Sequence, residues 1–477
     1  MGIITRDKYL DSLRKQKPDV YIAGEKVENV VDNPWFRSNL NHVALTYDLS
    51  NDPEYTELTR SWSPLVNEEV SFWTHIRQDK DDLAKMIKTI NTISGRHFCT
   101  FCLSMLGGVL WAGTYDIDKV FGTEYHERFK EFYKHIQKND FRCAIGIMDP
   151  KGDRSLKPSQ QTDPDLYLRI VEKRADGIVV KGAKLHSTSA PCIHYFIAFP
   201  CRVMAENEKE YAISFAVPIE TKGLTFITRP AASPLVAKEI ENPISSDHGF
   251  VESLSVFDNV FIPWERVFMC GEWEATEALL GLLQRYLRLG KCACTPARVD
   301  ILIGAATLIS EYNGTEKASH IAHKITEMML ASKIGWGCAN GAVLNSTNHP
   351  SGVCFADLAM CSAGVNYVRS RYAEFVGVLH DIAGGLVTTM PTEADFKNPV
   401  TKPLIEKYLQ GKVGTSVENR FRLFNLIQDI AASRFSGYIM SSVICAAGSP
   451  ETNRIDVVRN YDLANRKRIT KAMAKIS

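Results

Sequence analysis

Gly177-Ile-Val-Val-Lys-Gly-Ala-Lys-Leu-His-Ser-Thr188 decides how this chain is to be folded. Its β-branched opening predicts a strand. Gly182 lets backbone approach a ligand closely, and the end of the stretch carries two hydroxyls and an imidazole that can donate to one. Just upstream, Met148-Asp-Pro-Lys-Gly-Asp-Arg-Ser155 is a polar turn with a proline, a glycine and both signs of charge. Two polar loops around a β-rich segment predict a flat polar cofactor held at a sheet edge. Surface loops of a β-domain account for the same residues.

Outward from this stretch the chain changes character twice. Residues 1 to about 140 read as mostly helical. Asp81 to Ile90 places Leu83, Met86, Ile87 and Ile90 on one helical face, Cys99 to Leu106 continues as helix, and His126 to Ile136 is amphipathic. Between 141 and 275, short aromatic and β-branched runs (Ala212 to Pro218, Leu224 to Thr228, Ser253 to Pro263) predict a small β-domain. From 276 to 477 the pattern is helical again. A Leu-rich segment around Tyr286 ends at Gly290 as a C-cap, and Thr295-Pro296 starts the next helix with an N-cap and a first-position proline. Ile301 to Tyr312, Ala318 to Lys333 and Ser416 to Ile444 follow, broken by Ala383-Gly-Gly-Leu386 and Ala447-Gly-Ser-Pro450. The expected fold is α+β in three domains, 1–140, 141–275 and 276–477.

A chain of 477 residues with 45% hydrophobic and 23% charged residues can bury a large core. A net charge of +1 gives no reason to expect nucleic acid or an anionic membrane as partner. No run approaches the length of a membrane span, and the N-terminus lacks the apolar core of a signal peptide. A cytoplasmic protein whose twelve cysteines are reduced is therefore expected. There is no Walker A or Rossmann glycine pattern.

Glu252 stands out among the groups able to do chemistry. In Phe250-Val-Glu-Ser-Leu-Ser-Val-Phe257, alternation puts it on the face of Phe250, Leu254 and Val256. Apolar surroundings raise a carboxyl's pKa, as a general base needs; a strand-end glutamate reaching water is the plainer alternative. Next, His186 and Thr188 flank Ser187; a hydroxyl there can hydrogen-bond the N5 edge of a flavin, and a histidine near a strand end reads equally as a satisfied structural group. Cys99 and Cys102 share a predicted helix, and Cys292 and Cys294 lie in a predicted link between helices. Four thiolates suit an iron–sulfur cluster or zinc, although cysteine is also a common buried small residue.

Several of these segments carry a family resemblance. The Met148 and Gly182 loops, Val256-Phe-Asp-Asn-Val-Phe-Ile-Pro-Trp-Glu-Arg-Val-Phe268, Ala383-Gly-Gly-Leu386 and Met390-Pro-Thr-Glu-Ala-Asp-Phe396 resemble the 4-hydroxyphenylacetate 3-hydroxylase superfamily. Thr114-Tyr-Asp-Ile-Asp118, Tyr312 to His320 and Ala447 to Pro450 point to its 4-hydroxybutyryl-CoA dehydratase branch. The resemblance implies an acyl-CoA dehydrogenase-like fold, with a helical N-domain, a β-barrel-like middle and a C-terminal helix bundle. It also implies FAD, a homotetramer, and a dehydratase/isomerase acting on a short acyl-CoA. The flavin loops it implies contain Asp149, Pro150, Gly152, Asp153, Arg154 and Ser155, then Lys184, His186 and Thr188, then Ala447, Gly448 and Ser449. Glu252 matches a catalytic glutamate of that branch, and Thr188 and His186 stand beside it as the further catalytic candidates.

The branch also implies a 4Fe–4S cluster held by three cysteines and a histidine. The cysteines match Cys99, Cys102 (one residue closer than usual) and Cys294. The histidine falls on Leu287, so Cys292 is the available substitute on chemical grounds. A second catalytic glutamate falls on Ser442, and a tyrosine and a lysine fall on Lys291 and Thr295. Two other readings follow. One is a two-component monooxygenase using reduced FAD from a separate flavin reductase and hydroxylating an aromatic substrate, although the branch's Arg, Tyr and His phenol contacts are missing. The other is a flavin-binding paralogue without catalysis.

Overall fold

The computed structural model describes residues 2–94, 106–231 and 240–476. The first segment is helical with strands set into it: α1 (Arg6–Lys15), β1 (Asp19–Ile22), β2 (Glu25–Lys26), α2 (Arg37–Asn51), α3 (Thr56–Thr59), the hairpin β3 (Arg60–Ser63) and β4 (Glu68–Ser71), α4 (Lys80–Ser94), α5 (Gly107–Phe121) and α6 (Tyr125–Asn139). Leu83, Met86, Ile87 and Ile90 are buried on one face of α4, as their spacing requires. The expected Cys99 helix lies outside the described residues.

Strands dominate next: β5 (Cys143–Gly146), β6 (Arg169–Lys173), β7 (Gly177–Thr188), β8 (Tyr195–Ala198), β9 (Ile213–Pro218), β10 (Leu224–Pro230), β11 (Val251–Pro263) and β12 (Val267–Cys270). They form two open sheets rather than a closed barrel. One has six strands in the order β2-β1-β10-β11-β7-β6, the other four in the order β12-β9-β8-β5. The sheets meet through aromatic rings, with Phe196 of β8 against Phe226 and Phe257, and Phe215 of β9 against Phe257. The six-stranded sheet recruits Asp19–Ile22 from the helical segment, pairing β1 parallel to β10.

The rest is a bundle: α7 (Thr276–Asn313), α8 (Ser319–Leu344), the short hairpin β13 (Thr347–Asn348) and β14 (Cys354–Phe355), α9 (Leu358–Ala383), α10 (Leu386–Thr389), α11 (Glu393–Lys397), α12 (Lys402–Tyr408), α13 (Val417–Ala431), α14 (Arg434–Cys445), α15 (Pro450–Arg459) and α16 (Leu463–Ala474). The sequence predicts a break between Gly290 and Thr295; instead α7 runs 38 residues through both, with Pro296 inside it. Tertiary packing overrides the local stop signals. Gly290 is where Met86 of α4 comes close, since an added Cβ would lie 3.1 Å from the Met86 Cε. Pro296 fits against Gly335 of α8, where an added Cβ would lie 3.0 Å from the proline ring. An interior proline costs about 3 kcal/mol of helix stability, which burial on α4, α8 and α9 offsets. α7 is apolar and long enough to cross a membrane, but most of its apolar window is buried inside the bundle. The expected helix Ser416–Ile444 is two helices. They part before Ser433, whose side chain caps α14.

Candidate active site

The site is built where β7 and β11 end. Register pairs Thr188 with Glu252 and Ser187 with Ser253, and β10 sets Arg229 beside Glu252. Alternation leaves Glu252, Leu254 and Val256 of β11 on the less buried face of the sheet, next to Ala183 and Thr188 of β7 and to Thr225 and Ile227 of β10. Ile227 is 52% exposed. The result is an open, mostly apolar sheet face with one carboxylate at its end.

Glu252 Oε1 accepts from the Thr188 hydroxyl at 2.8 Å and from the Tyr438 hydroxyl at 2.7 Å. Tyr438 arrives on α14 with its ring stacked on Phe250, centroids 5.2 Å apart. The other oxygen, Oε2, is buried without a partner. Burial drives the carboxyl pKa up to about 7, and the two hydroxyl donors hold it from rising further. A carboxyl that is half ionised near neutral pH, with one oxygen unsaturated, has the chemistry of a proton shuttle. Thr188 therefore spends its hydrogen on Glu252, so its lone pairs rather than its proton remain for a flavin edge. Tyr438 was not evident from sequence, because a tyrosine on an amphipathic helix 186 positions away carries no local signal.

The two polar loops lie side by side. Leu185 donates its N–H to the Met148 carbonyl at 2.7 Å. The Lys184 ammonium pairs with Asp149 and also donates to the Phe199 carbonyl at 2.9 Å. The Cys201 thiol donates to the second Asp149 oxygen at 3.0 Å, and burial pushes that thiol up to about 11. Asp149 and Lys184 are 4% and 3% exposed, so they fasten one loop to the other with side chains turned inward. Pro150 follows half-buried. Gly152 adopts φ +51°, where a Cβ would strike Gln161 and Leu166. Asp153 accepts from the Ser155 N–H and hydroxyl, which holds its carboxyl below the ordinary range. Arg154 and Ser155 are exposed at the loop's tip. His186 is exposed at φ +54°, its pKa lowered by partial burial and then by Lys151.

The third loop is held elsewhere, at the far end of α14. Ala447 and Gly448 take φ +57° and +89°, and Ser449 caps α15. Arg369 of α9 donates to the Gly448 carbonyl at 2.7 Å and the Ala446 carbonyl at 3.1 Å. Arg288 of α7, ion-paired with Asp456, closes the space behind Gly448. Burial, then repulsion from Arg288, brings Arg369 down to about 10. Within one chain the first two loops are joined to each other, and the third is held by Arg369 and Arg288 of the bundle.

The cysteine set changes as well. Cys292 and Cys294 lie within continuous helix, where a spacing of two turns side chains about 200° apart. Cys292 faces Cys361 and Cys338 in the bundle core, and Cys294 sits over the Lys291 carbonyl. The two thiols thus leave the helix in different directions, Cys292 toward the bundle core. Cys99 and Cys102 lie outside the described residues. Among the described residues no three His, Cys, Asp or Glu side chains converge as a metal site. Every described cysteine is a free thiol. Leu287 packs into the apolar core. Ser442 is occupied by Lys291, which donates to its carbonyl at 2.6 Å, and by Arg298 near its hydroxyl.

Helical halves flanking two sheets, with a buried carboxylate beside an open sheet face, define an acyl-CoA dehydrogenase-like fold built for a flat cofactor. The chain belongs to the 4-hydroxyphenylacetate 3-hydroxylase family: the N-terminal model of that family matches residues 5–269 and the C-terminal model residues 277–475. It is 36% identical to 4-hydroxybutyryl-CoA dehydratase/vinylacetyl-CoA-Δ-isomerase of Clostridium aminobutyricum, over 99% of this chain and 100% of that one. It is 28% identical to the oxygenase component of 4-hydroxyphenylacetate 3-monooxygenase of Thermus thermophilus, covering 90% and 89%. Among solved structures, it superposes on the 4-hydroxybutyryl-CoA dehydratase of N. maritimus with a TM-score of 0.94 and 35% identity, covering 100% and 96%. An oxygenase component of 4-hydroxyphenylacetate 3-monooxygenase complexed with FAD gives 0.89 and 26%, covering 99% and 98%.

Proposed function

We propose that the protein is an FAD-dependent dehydratase/isomerase of short acyl-CoA thioesters, of the 4-hydroxybutyryl-CoA and vinylacetyl-CoA type. The observation that carries this is Glu252, a carboxyl with a pKa of about 7 and one free oxygen, placed beside an open apolar sheet face. Isomerisation of vinylacetyl-CoA asks for little more. The C2 proton is acidified by both the thioester and the neighbouring double bond. Glu252 Oε2 takes it, the double bond moves to C2–C3, and the same carboxyl returns a proton at C4 to give crotonyl-CoA. Thr188 and Tyr438 hold Oε1 throughout, which keeps Oε2 aimed and tunes its basicity.

The residues present suit FAD. The paired loops 148–156 and 184–188 offer backbone and hydroxyl groups at the edge of the open face, and Gly152 permits the tight turn within the first of them. Bound there, FAD supplies the one-electron chemistry that the unactivated C3 proton of a 4-hydroxyacyl thioester demands before a carboxylate can remove it. An iron–sulfur cluster on this chain would draw on Cys294 with Cys99 and Cys102, and no step is assigned to it.

We further place the protein in the cytoplasm, in keeping with its free thiols, and assembled as a homotetramer. Support for assembly comes from α16, a twelve-residue helix with no buried residue whose Leu463 and Met473 are 50% and 81% exposed. A helix that short is marginal in water unless another surface covers it.

The deciding experiment is anaerobic incubation of the flavin-loaded protein with vinylacetyl-CoA and with 4-hydroxybutyryl-CoA. Crotonyl-CoA is expected from both. No crotonyl-CoA from either, together with oxygen uptake on supplying reduced FAD and 4-hydroxyphenylacetate, would replace this reading by a monooxygenase.

A further inference from the structure

Two arginines stand unpaired at the Glu252 end of the open sheet face. Arg229 lies on β10 directly opposite Glu252, and Arg434 opens α14, the helix that brings Tyr438 to the same carboxyl. Both are exposed, and neither forms an ion pair or a side-chain hydrogen bond among the described residues. We propose that Arg229 and Arg434 form an anion seat that grips the diphosphate of an adenosine-diphosphate ligand, the chemistry that FAD and acyl-CoA thioesters share. The seat rests on the reading of this site as one for a flavin and an acyl-CoA thioester, and it names where such a ligand is held.

Strand register and helix packing bring the two together. Residues 229 and 252 are antiparallel partners, so their side chains share a face with Cβ atoms about 5 Å apart, close enough for an ion pair. None forms: Glu252 Oε1 is taken by Thr188 and Tyr438, and Oε2 has no partner. The Arg229 guanidinium therefore reaches away from the carboxyl, over the exposed side of the sheet. Arg434 precedes Tyr438 by one helical turn, a rise of about 6 Å on the same face of α14. Partial burial, then repulsion from Arg229, lower the Arg434 guanidinium below its ordinary value, so the two charges are near enough to oppose each other.

This arrangement is unfavourable until an anion arrives. Two like charges face each other, and neither is paired with a described carboxylate. Arg434 also occupies the first position of a twelve-residue helix, the end where the macrodipole opposes a cation, and that first turn holds no acid. A bound anion reverses both effects: it accepts from two guanidinium forks and lies at the positive end of α14. Its place sets its identity. The seat is a helical turn away from the carboxyl that handles the proton, so the anion is joined to the reacting part by a spacer. A ribityl chain is that spacer in FAD and a pantetheine arm in a CoA thioester, and each ends in a diphosphate.

Arg229→Met and Arg434→Met test the seat with two pairs of ligands. FAD and riboflavin are titrated into the flavin-free full chain, and crotonyl-CoA and crotonyl-pantetheine into the FAD-saturated protein; within each pair only the first carries the diphosphate. Each variant is expected to weaken FAD or crotonyl-CoA by at least about tenfold and to leave riboflavin and crotonyl-pantetheine unchanged. The ligand that weakens is the source of the diphosphate. The melting temperature of the ligand-free variants should hold or rise, because a repulsion has been removed. In the unaltered protein, inorganic pyrophosphate should compete with that same ligand and not with its diphosphate-free counterpart, a measurement independent of how the variants fold. Unchanged affinity for both FAD and crotonyl-CoA, a loss shared by riboflavin or crotonyl-pantetheine, a lower melting temperature without ligand, or no competition by pyrophosphate would each overturn the seat. Loss of FAD affinity in the variants of a protein that fails to isomerise vinylacetyl-CoA would keep the seat and strike the isomerase reading.

Discussion

Replacing Tyr438 by phenylalanine removes one hydroxyl from Glu252 and keeps the ring that stacks on Phe250. A hydrogen bond to a charged group is worth about 1.5–3 kcal/mol, and one pKa unit is about 1.4 kcal/mol. The donor favours the ionised carboxylate, so its loss favours the protonated form. Glu252, now at about 7, should move up by about one to two units. Because the base works only when ionised, the acidic limb of kcat/KM should move to about 8–9. At neutral pH the ionised fraction falls from about a half to about a tenth or a hundredth, so kcat/KM should drop about 5- to 50-fold there and recover in alkali. The assay is vinylacetyl-CoA isomerisation, followed anaerobically across pH for both proteins. An acidic limb that stays in place while activity falls equally at every pH would mean that Tyr438 contributes packing alone, and the tuning argument would be wrong.

Glu252→Gln should abolish isomerisation. It should also flatten the stability profile: the raised carboxyl stabilises the fold fully below about pH 4.5 and loses that contribution as pH rises through about 7, a change of at most about 3 kcal/mol. Denaturant titrations at acid and alkaline pH measure it, and a constant gap between variant and parent would refute it. Lys184→Met leaves Asp149 buried and unpaired, so about 3–5 kcal/mol of stability and most flavin affinity should go, read by melting and flavin fluorescence. If iron is present after anaerobic purification, Cys294→Ser should remove it and Cys292→Ser should leave it; iron analysis decides, and equal loss from both would restore Cys292 as a ligand.

The parts of the site that lie on one strand or one loop were legible in the sequence, because period-two alternation is a local rule. It placed Glu252 with Leu254 and Val256, and the turn chemistry around Gly152 and Gly182 marked two polar loops that do meet. Tyr438 was illegible, since it reaches Glu252 only through the packing of α14 on the sheet. The same limit explains α7. Gly290 and Thr295-Pro296 are strong local punctuation, yet Met86 and Gly335 needed a glycine and a ring there for helix contact, and continuous burial kept the helix whole. Once that segment is helical, two cysteines two positions apart point about 200° apart around the axis rather than lying in one loop. Asp19–Ile22 is too short to announce itself as a strand and is drawn into the sheet by β10.

Pro296 gives the longest helix a property that its burial conceals. At 38 residues α7 is a rod of about 57 Å, running from the end of the strand segment deep into the bundle. Its ladder lacks one rung, because residue 296 has no N–H to offer the Cys292 carbonyl. Thr295 turns its hydroxyl back to the Lys291 carbonyl at 2.8 Å, which seals the neighbouring rung. Bending is therefore cheapest at residues 292–296. The helix that spans both halves of the molecule therefore carries its softest joint inside the bundle, under the packing of Pro296 on Gly335.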